Sequence, residues 1–210
     1  MKKIYTVALF CLLLIVSSCK SNTENNASKE TETNNVVEAT SVEEATNVDD
    51  QMVISTPTGE KIGGFTLDPL TIYAGGNKYT SKNKPDKHKF YTNGSMVYEV
   101  KFKSEGFKLR DKNSELLWKI KIYPDKIKIS DNEENENAFE IRRYDDKIKI
   151  KRNEEELYAI QLGSSSVTVN DEILYQLSSN QDNYVYAILA IKEIPEDQKM
   201  FILAELSTQL

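Results

Sequence analysis

The chain has 210 residues, 39% hydrophobic and 29% charged, and its 33 acidic side chains outweigh 27 basic ones for a net charge of −6. That balance argues against wholesale nucleic-acid binding, because counterion release needs a dominant basic footprint. With two cysteines and one histidine, His88, a zinc site built on several imidazoles or a Ser/His/Asp arrangement is close to excluded.

Residues 1 to 18 read as a cleavable export signal. Lys2 and Lys3 form a charged start, and Ile4 to Val16 is an apolar stretch too short to span a bilayer comfortably. Its end, Val16-Ser17-Ser18-Cys19, resembles the lipobox of bacterial lipoproteins. The resemblance implies cleavage before Cys19, diacylation of its thiol with palmitate-type chains, and acylation of the new amino group. Loss of Lys2, Lys3 and Cys11 would leave 25 basic residues against 33 acidic, a side-chain balance of −8. With Cys19 in a thioether, no disulfide or thiolate chemistry remains. A cell-envelope protein held to the membrane by lipid is expected. The outer membrane is favoured, since Lys20 stands where the inner-membrane retention signal of lipoproteins has aspartate.

Residues 19–56 carry the acylated cysteine and then mostly Asn, Thr, Ser, Glu, Ala and Val without an aromatic. Such a segment cannot bury enough apolar surface to offset its ordering entropy, so it is expected to be a disordered tether. As a random coil it would hold the folded part on the order of 30 Å from the membrane. Residues 57–210 suffice for a single β-rich domain. Within it, 57–95 holds glycine pairs at Gly63-Gly64 and Gly75-Gly76, apolar islands from Ile62 to Tyr73, and a lysine-rich loop from Lys78 to Lys89. Short strands and long loops are expected there.

From Met96 the pattern sharpens into period-two alternation separated by polar turns. The predicted strands are 96–103, 106–110, 116–123, 126–130, 138–144, 147–151, 157–162, 166–169, 173–177 and 184–191. Turn chemistry joins them at Lys112-Asn113-Ser114, Pro124-Asp125, 131–137, Asp145-Asp146, 153–156 and Asn170-Asp171. Short links imply antiparallel neighbours, hence a meander of hairpins.

An internal repeat runs through this region. Leu117-Trp118-Lys119-Ile120, Ala138-Phe139-Glu140-Ile141, Leu157-Tyr158-Ala159-Ile160 and Leu174-Tyr175-Gln176-Leu177 share the order apolar, aromatic, variable, aliphatic. Each repeat is one two-stranded unit too small to stand alone. Stacked, the aromatics and the last aliphatics should share one core face. Leu117, Ala138, Leu157 and Leu174 would then form an apolar stripe on the other face, with 62–73 the candidate to cover it.

The C-terminus differs. Tyr184 to Ile191 is a continuous apolar run, suited to a doubly buried strand although helix is open on periodicity alone. Pro195, Glu196 and Asp197 mark a helix start, and the predicted helix 196–207 has hardly any polar face. Such a helix must be enclosed. The fold expected is therefore mainly β, an antiparallel meander of repeated hairpins forming a closed or nearly closed barrel around a hydrophobic C-terminal helix.

Strands such as Phe107-Lys108-Leu109-Arg110-Asp111 followed by Leu116-Leu117-Trp118-Lys119-Ile120, and Lys126-Ile127-Lys128-Ile129-Ser130-Asp131 followed by Ala138-Phe139-Glu140-Ile141, resemble the repeated hairpins of the tubby-like group. That group includes the LURP-one-related proteins and the phospholipid scramblases. The resemblance covers about residues 96 to 208 and implies a closed antiparallel barrel around a C-terminal helix, with recognition of membrane lipid or phosphoinositide-like ligands. The chain departs from the group in lacking glycine in most of those turns and in showing ten clear strands, not twelve. No headgroup motif carries over residue by residue.

The leading candidate site is a lysine ladder. Lys119, Lys121, Lys126, Lys128, Lys147, Lys149 and Lys151 alternate along predicted strands and could line one outer face, where they would attract phosphate groups of lipid. The competing reading is an ordinary solvated strand face. The loop with Lys78, Lys82, Lys84, Lys87, His88 and Lys89, interleaved with Tyr79, Phe90 and Tyr91, is a second candidate for anion or glycan contact. The acidic turns at 131–137 and 154–156 offer oxygen ligands but lack the glycine of an EF-type loop, so no metal is expected. No glycine-rich phosphate loop, nucleophile elbow or facing carboxylate pair is recognisable, so neither enzyme nor cofactor is expected. The function expected is non-enzymatic binding of a lipid headgroup or other anion. The alternative is a structural or protective lipoprotein working through contact with an envelope protein.

Overall fold

Alternating in-and-out residues with short turns give each strand its partner in the strand that follows. The computed structural model describes residues 51–145, 147–163 and 165–210; the signal segment, Cys19 and nearly all of the expected tether lie outside them. Among the described residues there are fourteen strands. They are β1 (Met52–Ser55), β2 (Lys61–Leu67), β3 (Leu70–Ala74), β4 (Asn77–Lys84), β5 (Lys87–Thr92), β6 (Ser95–Lys103) and β7 (Gly106–Asp111). The series continues with β8 (Leu116–Tyr123), β9 (Lys126–Ser130), β10 (Phe139–Arg143), β11 (Ile148–Arg152), β12 (Glu155–Gly163), β13 (Ser166–Val169) and β14 (Glu172–Leu177). All neighbours are antiparallel and follow chain order. β1 meets β14 through Ile54↔Leu177 and Ser55↔Gln176, closing the barrel. Ser178 prolongs the seam, its N–H donating to Val53 O and its Oγ accepting from Val53 N–H, both at 2.9 Å. Closure leaves no open sheet edge.

Two expectations about the first half are corrected. β1 lies inside the segment assigned to the tether, and Met52 and Ile54 are buried, so the domain starts earlier than residue 57. Residues 61–92 form four strands joined by two-residue turns. Their lysines and glycines obscured an alternation that is regular in space.

Antiparallel order places the turns after odd-numbered strands at one rim and those after even-numbered strands at the other. At the first rim, Gly75-Gly76, Asn93-Gly94, Asn153-Glu154 and Asn170-Asp171 have positive φ at both central residues. These are type I′ hairpin turns, whose twist matches the strands they join. Just beyond that rim the register slips at Ile62, Val97, Leu117, Leu157 and Leu174, each a β-bulge residue. The next residues, Gly63, Tyr98, Trp118, Tyr158 and Tyr175, return to the regular ladder.

The first residue of the repeat is thus a half-buried bulge residue at Leu117, Leu157 and Leu174, whereas Ala138 of the second copy precedes β10 without a bulge. Residues 62–73 do not cover an outer stripe, because β2 and β3 belong to the barrel wall. The repeat also has a fifth copy, Val97-Tyr98-Glu99-Val100.

The lumen holds two helical segments. A 3-10 helix spans Tyr184–Ala190, and α1 spans Glu196–Ser207. The strand predicted over 184–191 is corrected by topology. Once β1 and β14 pair, no strand edge is left inside the barrel, so the buried backbone groups of this run must bond within the run or to side chains of the lumen, as Leu189 O does to Lys199 Nζ. Asn183 starts the turn by accepting the Val185 N–H at 3.1 Å. Residues 185–191 and 199–206 are all buried. Phe201 packs on Tyr79, Phe90 and Tyr98 at ring separations of 5.1, 5.0 and 4.6 Å.

The aromatics near the first rim hold the start of α1 by their polar tips. Tyr98 Oη donates to Asp197 Oδ2 at 2.9 Å, and Trp118 Nε1 donates to Gln198 Oε1 at 2.6 Å. Gly63 stands where the other bulged strands carry an aromatic. A Cβ there would lie 2.6 Å from Tyr73 O and 2.9 Å from Met200 Cγ, so its absence lets α1 lie directly on β2 and β3.

Candidate anion-binding face

Inward residues such as Val100, Leu109, Ile120, Ile129 and Ile150 are buried. Their sequence neighbours must therefore face outward. On β8, β9 and β11 these neighbours are Lys119 and Lys121, Lys126 and Lys128, and Lys149 and Lys151; Lys147 precedes β11 in the same alternation. The predicted ladder lysines thus stand on one outer wall, interrupted by Glu140 and Arg142 of β10.

The wall is wider than the ladder. In register, Lys84 of β4 faces Lys87 of β5, which faces Lys101 of β6, then Lys108 of β7, then Lys119 of β8. Five strands place lysine beside lysine in one lateral row. Below it, Lys82 faces Lys89, which faces Glu99, which faces Arg110. On the other side, Lys121 faces Lys128, then Glu140, then Lys151. A chain acidic in sum carries a basic wall from β4 to β11. Its outward positions are mostly charged, with Thr80, Tyr91 and Tyr123 among them, unlike the apolar band of a membrane-spanning barrel. Among the described residues no helix is long and apolar enough to cross a membrane.

Carboxylates temper this charge but are shared. Glu99 lies 3.4 Å from Lys87 and 3.7 Å from Lys89. Glu133, from the turn after β9, bonds Lys108 and meets Arg110 at 2.7 Å, and its backbone carbonyl accepts from Lys119. The Lys108 bond holds the Glu133 carboxyl below its usual range. Glu140 is divided among Lys126 at 3.1 Å, Arg142 at 3.3 Å and Lys128 at 3.8 Å. Lys149 holds Glu156 at 2.5 Å and lowers its pKa by hydrogen bonding. Asp125 and Glu105 reach Arg142 and Lys121 at 3.3 and 3.8 Å. Like charges directly opposite across strands are destabilising, and the shared carboxylates relieve this only in part.

The second candidate is resolved into two faces. The lysine-rich segment is not a loop but the β4–β5 hairpin. Tyr79 and Phe90 are buried in the lumen, while Lys82, Lys84, Lys87 and Lys89 line an outer cleft of about 220 Å³ with Tyr91. Lys82 Nζ sits 4.7 Å over the Tyr91 ring. Lys78 stands apart, on a cleft by the β2–β3 end. His88 leaves this face, its Nδ1 lying 2.8 Å from Oε1 of the buried Glu205. Burial pushes the Glu205 carboxyl above its usual range, and the contact with His88 opposes that.

Lys84, Lys87, Lys101 and Lys108 were outside the predicted ladder. Alternation in Lys101-Phe102-Lys103 and Phe107-Lys108-Leu109 placed two of them outward, but cross-strand register set the row. The acidic turns serve as counter-charges for the wall, and among the described residues no three His, Cys, Asp or Glu side chains assemble in metal-ligating geometry. Compared with protein-family models, curated proteins and solved structures, the chain matches none.

Proposed function

We propose that this protein is a non-enzymatic, lipid-anchored envelope protein whose barrel binds anionic headgroups of membrane lipid through the wall from β4 to β11. The observation that carries the reading is the lateral row Lys84, Lys87, Lys101, Lys108 and Lys119. Such a row opposes folding, and a layer of phosphates would neutralise it. A barrel around a C-terminal helix is what the tubby-like resemblance implies, with fourteen strands here where that group has twelve. The lipobox resemblance at Cys19 implies an anchor in a membrane whose headgroups the wall would bind.

The test uses the mature chain with Cys19→Ser, so that the barrel and not the acyl chains reports. Co-sedimentation with vesicles rich in anionic lipid should be strong at low salt, weak at high salt and absent with zwitterionic vesicles. Binding that ignores salt, or none at all, rejects the proposal. Capture of one stoichiometric envelope protein in place of lipid would favour the structural or protective role.

A further inference from the structure

A separate cavity opens at the second rim, where the chain leaves β14 for the lumen. Its volume is about 460 Å³, within the usual range for small-molecule sites. Gln51 and Met52 at the start of β1, Phe65 and Leu67 at the end of β2, and Tyr186 and Ser207 of the interior helices line it. The 178–183 loop closes the remaining side. Among the described residues that line it, none is Asp, Glu, Lys, Arg or His.

Among the described residues, Gln51 Nε2 is buried here without a hydrogen-bond partner, while Ser207 Oγ is met by the Tyr186 hydroxyl alone. Leaving such a group unpaired costs about 1–3 kcal/mol, so the Gln51 amide calls for a partner that the described residues do not supply. The loop adds hydroxyl and amide groups at Ser179 and Gln181, while Met52, Phe65 and Leu67 offer an apolar patch.

The geometry points to a binding site for a neutral sugar unit. A charged ligand would find no counter-charge among the described residues there, and an apolar ligand would leave the Gln51 amide unsatisfied. A sugar ring has hydroxyls that donate and accept around its edge and a C–H face for the apolar patch. This site is independent of the basic wall.

Saturation-transfer NMR on the mature chain with Cys19→Ser tests it, using glucose, N-acetylglucosamine and their β-linked disaccharides as neutral probes and glucuronic acid as the charged control. At least one neutral sugar should bind, more tightly than glucuronic acid. Gln51→Leu and Ser207→Val should each weaken it at least tenfold. Leu67→Ala, at a residue 43% exposed, should weaken it about threefold with Tm unchanged, which guards against a folding defect in the other variants. Lys101→Glu should leave it unaltered. No binding by any neutral probe, wild-type affinity in all three cavity variants, or loss of sugar binding in Lys101→Glu overturns the inference.

Discussion

Lys101→Glu should move stability and membrane binding in opposite directions. Lys101 is exposed at the centre of the lysine row, directly opposite Lys87 and Lys108. Each like-charge pair costs roughly 0.2–1 kcal/mol, and reversal turns two repulsions into two attractions. Glu99 and Glu133 already engage the two neighbours. The net gain should therefore be about 1 kcal/mol, or about 2–4 °C in Tm for a domain of this size. At an anionic surface the same substitution removes two units of charge at about 1 kcal/mol each, weakening binding roughly thirtyfold at low salt. Thermal unfolding and vesicle partitioning measure the two effects. Both should fade in about 1 M salt, where the screening length falls to roughly 3 Å. Lys192→Glu, in the exposed loop between the two interior helices, is the control and should lose far less. A fall in Tm with unchanged binding, or equal losses in both variants, refutes the reasoning.

Three further outcomes test the lumen. Phe201→Ala removes a fully buried ring from the Tyr79, Phe90 and Tyr98 cluster and should cost about 3–5 kcal/mol in urea unfolding; a loss under about 1 kcal/mol would contradict an enclosed α1. Gly63→Ala should cost about 1–3 kcal/mol by overpacking, and Met200→Ala in the same chain should recover part of it; additive losses would mean that the two sites do not meet. Lys199 donates to Leu189 O at 2.8 Å, and burial lowers its pKa to about 8. Since the unfolded chain then binds more protons between pH 8 and the ordinary lysine value, Lys199 makes stability rise with pH across that window. Lys199→Met should abolish this part of the rise, and parallel stability curves for the two proteins would exclude it.

The fold was legible where alternation is local. Residues 95–177 announce nine strands because apolar-in residues have polar neighbours and most turns carry Asn, Asp or Pro, the exceptions being Ser-Glu at 104–105 and Ser-Ser at 164–165. The helix at Glu196–Ser207 follows from Pro195 and an apolar surface that only a lumen could satisfy. What stayed hidden depends on closure. The four residues of β1 lie beside a polar stretch, and their strand identity rests on pairing with Leu177, more than a hundred residues away. That same pairing removes the edge that 184–191 would need as a strand. The candidate face was half legible for a related reason: alternation shows which side a lysine takes, whereas Lys84, Lys87, Lys101, Lys108 and Lys119 become neighbours only through four registers.

The bulges explain how one short motif serves both the core and the wall. A bulge adds one residue without reversing the faces beyond it, so an apolar side chain can sit at the rim while the next position resumes its inward place. At Tyr98, Trp118 and Tyr175 that place lets a ring tip meet Asp197, Gln198 or Glu196, at 2.9, 2.6 and 3.5 Å. The following variable position faces out and carries Glu99, Lys119 or Gln176. Inward positions therefore fix α1, and outward positions are free to vary in charge without touching it. A basic wall on an acidic chain is then a choice made at outward positions alone, and it has no role in keeping the helix enclosed.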